Sequence, residues 1–140
     1  MNKRVINAGR LTAAWGEWPN FHDGEILRIL LDRCGPSMTA DIQLRRLAAD
    51  GRLDETGHFL VQSVLVVTLK LEDINEDVTI EEFNHQNVIQ QLYIQETNEG
   101  LVVDIKGIFG ASVKVTCARL VVANVTEVPA LPDVGKNFRD

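Results

Sequence analysis

Between Leu60 and Leu71 the chain is almost wholly apolar, and no other stretch narrows the folds open to it as much. Val61, Leu65, Val67, Leu69 and Leu71 share one face of an extended chain, while Val64 and Val66 make the opposite face apolar too. A strand apolar on both faces has to be covered on both. It lies in the middle of a sheet, or it meets an N-terminal helix or a second subunit.

Period-two alternation recurs along the rest of the chain. Met38, Ala40, Ile42 and Leu44 alternate with Thr39, Asp41, Gln43 and Arg45, the clearest half-buried strand. Ahead of it, Leu27, Ile29 and Leu31 fall on one face of Glu25 to Asp32, with Glu25 and Arg28 as flanking polar positions and Leu30 as an outward exception. Gly35-Pro36-Ser37 is a turn, so the two strands read as a hairpin. Further strands are carried by Val78 and Ile80, by Leu92 and Ile94, by Leu101, Val103 and Ile105, and by Val113, Val115 and Cys117. The phase slips near Ala118-Arg119, because Leu120 and Val122 have the other parity. Ala48 to His58 reads as a loop and Gly107 to Gly110 as a bulge or kink.

A helix precedes this body. Leu11, Ala14, Trp15 and Trp18 fall at i, i+3, i+4 and i+7, Asn7 is placed to cap the helix start, and Pro19 ends it. The expected fold is mainly β, α+β at the margin: an antiparallel meander of about seven strands, as a half-barrel or in two layers, with one short N-terminal helix. One domain fills residues 1–140, as helix and following segment (7–25), sheet body (25–128) and a loose tail (129–140).

The formal charge of −6 and pI near 5.0 argue against a nucleic-acid partner, which needs Lys and Arg to displace counterions from phosphates. Cys34 and Cys117 have no CxxC spacing and suggest neither a disulfide framework nor a zinc site. No run approaches the ~20 apolar residues that span a bilayer, and Met1 to Arg10 is polar, so the expected location is the cytoplasm with no membrane partner.

The densest chemistry lies in Trp15 to Glu25. His22 with Asp23 and Glu25 could form an acid–base site, imidazole being the side chain whose charge changes near neutrality. The competing reading is a turn in which Asp23 caps and His22 bonds backbone, and it carries more weight because no nucleophile or second base completes a catalytic set. Trp15, Trp18 and Phe21 read either as an exposed anchor or as a lid over one end of the sheet. His58 and His85 sit in loops without metal-ligand spacing, so no metal or cofactor is expected. Glu72, Asp73, Glu76 and Asp77, with Glu81 and Glu82 beyond, form a solvated hairpin tip or a steering patch for a basic partner. They lack the Gly and terminal Glu of a calcium loop, and no phosphate-binding glycine loop is present.

Trp18-Pro19-Asn20-Phe21-His22-Asp23-Gly24-Glu25 resembles the WPxFHDxE signature of the bacterial immunity protein 50 family. Phe83-Asn84-His85-Gln86-Asn87-Val88-Ile89, leading into Leu92-Tyr93-Ile94, is similar to that family's second block, and Val113-Lys114-Val115-Thr116-Cys117 to its third. The resemblance runs from Trp15 to about Val122, and Gly24 departs from it where a small residue such as Ala is expected. It implies a β-rich, non-enzymatic antitoxin of a polymorphic-toxin system that binds and blocks a cognate toxin, with no catalytic residues to carry over. Beside it stand a small hydrolase or lyase, or a ligand-binding protein, using His22 and Asp23, and a homodimeric structural module that buries an apolar face of Leu60 to Leu71.

Overall fold

A computed structural model describes residues 3–48, 50–58, 60–75 and 78–129. The element order is β1 (Val5–Ile6), α1 (Ala8–Trp15), β2 (Glu25–Asp32), β3 (Ser37–Leu47), β4 (Val61–Glu72), β5 (Thr79–Glu81), β6 (Ile89–Glu96), β7 (Leu101–Gly107), β8 (Ser112–Cys117) and β9 (Arg119–Pro129). The protein is mainly β, with nine strands among the described residues rather than about seven. They form two sheets, ordered β1-β9-β4-β3-β2 and β5-β8-β7-β6, and of the expected alternatives the two-layer one holds. The inner stripes of both sheets meet in one core that includes Met38, Ile42, Leu65 and Leu69 from the first and Val103, Val113 and Val115 from the second.

The apolar run takes the central position that its two faces require. β4 pairs antiparallel with β3 on one side and β9 on the other. Leu65, Val67, Leu69 and Leu71 are buried, and Val64 and Val66 are half-buried on the outer face.

The phase slip at Ala118 has a simple cause. β8 belongs to the small sheet and β9 to the large one, so the chain changes layers there. Cys117 and Leu120 are both fully buried, but they enter the core from opposite sheets.

Three local expectations are corrected. The helix ends at Trp15, not at Pro19, because Gly16 takes the left-handed conformation (φ 106°) and its N–H donates to the Thr12 carbonyl. A glycine at that position is the commonest helix stop and acts before the proline is reached. Asn7 occupies the cap position, but its own backbone is left-handed (φ 61°) and its side chain makes no capping bond. In β2 a bulge between Ile26 and Arg28 shifts the phase, so Ile26 is buried and Leu27 is exposed, while Ile29 keeps its inward place.

Two further differences are smaller. Gly107 to Gly110 forms the turn of the β7–β8 hairpin. β1 pairs parallel with β9, and two residues are too few to show a period in sequence. Of the expected tail, residues 130–140 lie outside the described residues.

Candidate functional site

The signature segment is a corner stitched to the second block. Pro19 holds Trp18 extended, and the Asn20 side-chain oxygen then accepts from the His22 N–H at 2.9 Å, a local turn typical of Asn. Phe21 and Asp23 both adopt positive φ (63° and 65°), and the Gly24 N–H closes back on the Phe21 carbonyl. Positive φ is tolerable for Asp but costs a bulky residue such as Phe about 1–2 kcal/mol.

Burial and pairing offset that cost. Phe21 is 1% exposed and meets Trp18 edge-on, ring centroids 5.7 Å apart at 67°. Asp23 N–H donates to the Ile89 carbonyl, Ile89 N–H to the Gly24 carbonyl and Ile26 N–H to the Asn87 carbonyl. Glu25 bridges Val88. The first and second signature blocks are thus one ladder that joins the edge of the large sheet to the start of β6.

Asn87 is the hidden support of this corner. It is 4% exposed, its side-chain oxygen accepts the Asn84 N–H at 2.8 Å and its amide donates to the Asn84 carbonyl. A buried Asn with both ends satisfied fixes the 84–87 turn and so the register of the ladder. The sequence shows a polar turn at 84–87, but the burial that sets Asn87 apart from its neighbours is visible only in the fold.

His22 projects outward, with its side chain 54% exposed. Its Nδ1 lies 2.9 Å from the Gln90 carbonyl oxygen, which can only accept, so Nδ1 carries the proton. Nε2 faces Asp23 Oδ1 at 3.5 Å. Asn20, His22, Gln90 and Gln91 line a shallow hollow of about 390 Å³ open to solvent. The other walls of this hollow are amides, which neither attack a substrate nor carry protons in water.

A second hollow, of about 280 Å³, is lined by Asp23, Glu25, Gln43, Arg45, Gln86 and Val88. Two carboxylates against one guanidinium leave it net negative, and Asp23 is 72% exposed. Arg45 was not foreseen as part of the site. It sits on the outer stripe of β3, which carries Glu25 opposite Gln43.

Trp15 and Trp18 are half-buried against the core, at the helix end of the sandwich. Arg46 lies 5.0 Å from the Trp15 ring centroid, donates to the Ala14 carbonyl and approaches Glu127 at 3.8 Å. Glu127 also accepts from Ser63 at 3.1 Å. The cation at the C-terminal carbonyls of α1 suits the helix dipole. The signal that could have found Arg46 is its parity, two residues beyond Leu44 on the buried stripe.

The acidic turn is partly neutralised from within. Arg119 holds Glu72 at 2.7 Å and Asp73 at 2.9 Å, and Lys70 lies 3.7 Å from Glu72. The Glu72 hydrogen bond and the Asp73 charge push the Arg119 pKa up. Glu76 and Asp77 lie outside the described residues. Since Glu72 pairs with Ser37 and Glu25 with Gln43 along the same β3, the two acidic regions are about 20 Å apart, six residues at the strand rise. His58 bonds Thr56 within its own loop and His85 is exposed. Among the described residues no three His, Cys, Asp or Glu converge as metal ligands. Nor is any helix long and apolar enough to cross a membrane.

In this two-layer β domain the signature segment is a corner that exposes His22 and Asp23 beside a net negative hollow. The chain belongs to the immunity protein 50 family: that family's model matches residues 7–128, a range that holds α1, the signature corner and the strands from β2 nearly to the end of β9. Neither the comparison with curated proteins nor that with solved structures gives a match.

Proposed function

We propose that this protein neutralises a cognate bacterial toxin by direct protein–protein contact in the cytoplasm, and that it does so without catalysis. The family match over most of the chain carries this reading. The surface assigned to the toxin is the outer side of the signature corner: His22, and beside it the net negative hollow that Asp23 and Glu25 share with Arg45 and Gln86. Phe21 supports that surface from within, braced by the half-buried Trp18, while Trp15 packs on the core beside Arg46. A basic toxin surface would meet net negative charge there. The acidic turn adds steering from farther away, with Glu72 and Asp73 discounted by their Arg119 pairing.

Capture from the native bacterium at low and at high salt tests this, with the wild-type chain and an Asp23→Asn/Glu25→Gln variant as baits. Both substitutions remove charge and keep shape, and Asn tolerates the left-handed backbone at position 23. The expected result is a basic toxin domain held by the wild-type bait at low salt and weakly by the variant. Equal recovery on both baits at both salt concentrations would overturn the assignment of the corner.

A further inference from the structure

Three exposed leucines crowd one edge of the large sheet. Leu27, Leu30 and Leu31 are 47%, 53% and 55% exposed and lie within five residues on β2. β2 ends the large sheet. Its first two residues are met by Val88 and Asn87, but among the described residues no strand pairs with its free side from Arg28 to Asp32. Natural sheets blunt such edges with lysine, proline, inward charges or a bulge, since an open edge invites pairing with another chain. Here the bulge lies just before Arg28, and Arg28 to Asp32 stays in unbroken register with Asp41 to Ser37.

What would cover this edge is written in its own sequence, Arg28-Ile29-Leu30-Leu31-Asp32. Laid antiparallel on an identical segment with Leu30 at the centre, Arg28 stands opposite the partner's Asp32. Asp32 in turn stands opposite the partner's Arg28. Ile29 meets the partner's Leu31, and Leu30 meets the partner's Leu30. Directly opposite residues share a face, so charge meets opposite charge on the outer face and apolar meets apolar on both. Shifting the centre to Ile29 or Leu31 sets Arg28 or Asp32 against leucine and loses both ion pairs. The one register that matches the charges is also centred on the regular stretch.

We propose that the β2 edge is a homodimer interface, in which two copies pair antiparallel about a two-fold axis at Leu30 and join two five-stranded sheets into one of ten. This goes beyond toxin binding and uses a different part of β2. The Glu25 end stays with the signature corner, so a partner copy would stand beside the toxin-facing surface.

Sedimentation or light scattering of the full chain over a wide concentration range is the first test. The wild type should rise from 15.6 kDa towards twice that mass, and Leu30→Lys, which faces two ammonium groups across the axis, should stay at the monomer mass. Leu30 is exposed, so this variant should keep the wild-type circular dichroism. The second test is Leu30→Cys in a Cys34→Ser background under mild oxidation. Opposed residues in an antiparallel pair have Cα atoms about 4.5–5.5 Å apart, within reach of a disulfide. A covalent dimer is expected from it and not from a Lys114→Cys control on the other sheet. A wild type that remains monomeric at high concentration would overturn the proposal. So would a dimer that Leu30→Lys leaves intact and that does not cross-link at position 30.

Discussion

At Gly24 an added Cβ would come 2.8 Å from Leu44 Cδ2 and 3.0 Å from the Phe21 carbonyl oxygen. The leucine tip can move, but the carbonyl is part of the turn that exposes His22. Gly24→Ala should therefore cost about 1–2 kcal/mol, read as a lower denaturant midpoint with an unchanged slope. The departure from alanine at this position is thus a local fit to Phe21 and Leu44.

The two thiols should separate in a reactivity assay. Cys34 is exposed, and Cys117 is fully buried with its thiol pushed up to about 11, chiefly by burial. A thiol reagent at pH 8 should label one cysteine per native chain and two after unfolding. The raised pKa favours the folded state while the thiol is protonated, so that contribution is complete below the ordinary thiol value of 9.0 and fades as pH rises towards about 11. Cys117 was legible in sequence from its place on an apolar stripe. For Arg46 only the inward parity was legible, because its partners, the Trp15 ring and the Ala14 carbonyl, come from a helix about 30 residues earlier.

Among the elements, those set by local pattern were the most legible. The β2–β3 hairpin follows from Gly35-Pro36-Ser37 between alternating runs, and β4 from two apolar faces. The phase slip at Ala118 was visible, but its meaning as a change of layer depends on contacts that no local pattern records. The ladder that joins Gly24–Ile26 to Asn87–Ile89 is also non-local, and it is the element on which the candidate site depends. Asn87→Ala would remove both hydrogen bonds of a buried side chain, leave the Asn84 N–H and carbonyl without these partners, and should cost about 1–3 kcal/mol. Its effect should centre on the corner: amide exchange at Ile26 and Ile89 should rise more than at Val67 in the centre of β4. Gly100 is a stricter point, because any Cβ there would overlap the Cys117 carbonyl oxygen across the β7–β8 pair. Gly100→Ala should destabilise by about 3 kcal/mol or more, checked by thermal unfolding.

Across the whole molecule, the two acidic regions sit towards opposite ends of β3, and their charges are in different states. Around the turn, Arg119 and Lys70 offset Glu72 and Asp73. At the corner, Asp23 and Glu25 outnumber Arg45. A steering field is therefore expected mainly from the corner, in a chain of net charge −6. Association with a basic toxin should slow as salt rises, and Asp23→Asn/Glu25→Gln should flatten that dependence more than Glu72→Gln/Asp73→Asn does, by stopped-flow mixing. The acidic balance was legible from composition. Which carboxylates are free was not, because the Arg119–Glu72 pair joins residues far apart in the chain.

Protection of growing cells is the readout nearest to toxin neutralisation itself. The toxin domain recovered on the wild-type bait is expressed from an inducible promoter, with this chain or its Asp23→Asn/Glu25→Gln variant supplied from a second. The wild-type chain should restore growth and the variant, at equal soluble level, should restore much less. Cells that die despite abundant wild-type chain would rule out neutralisation by this protein.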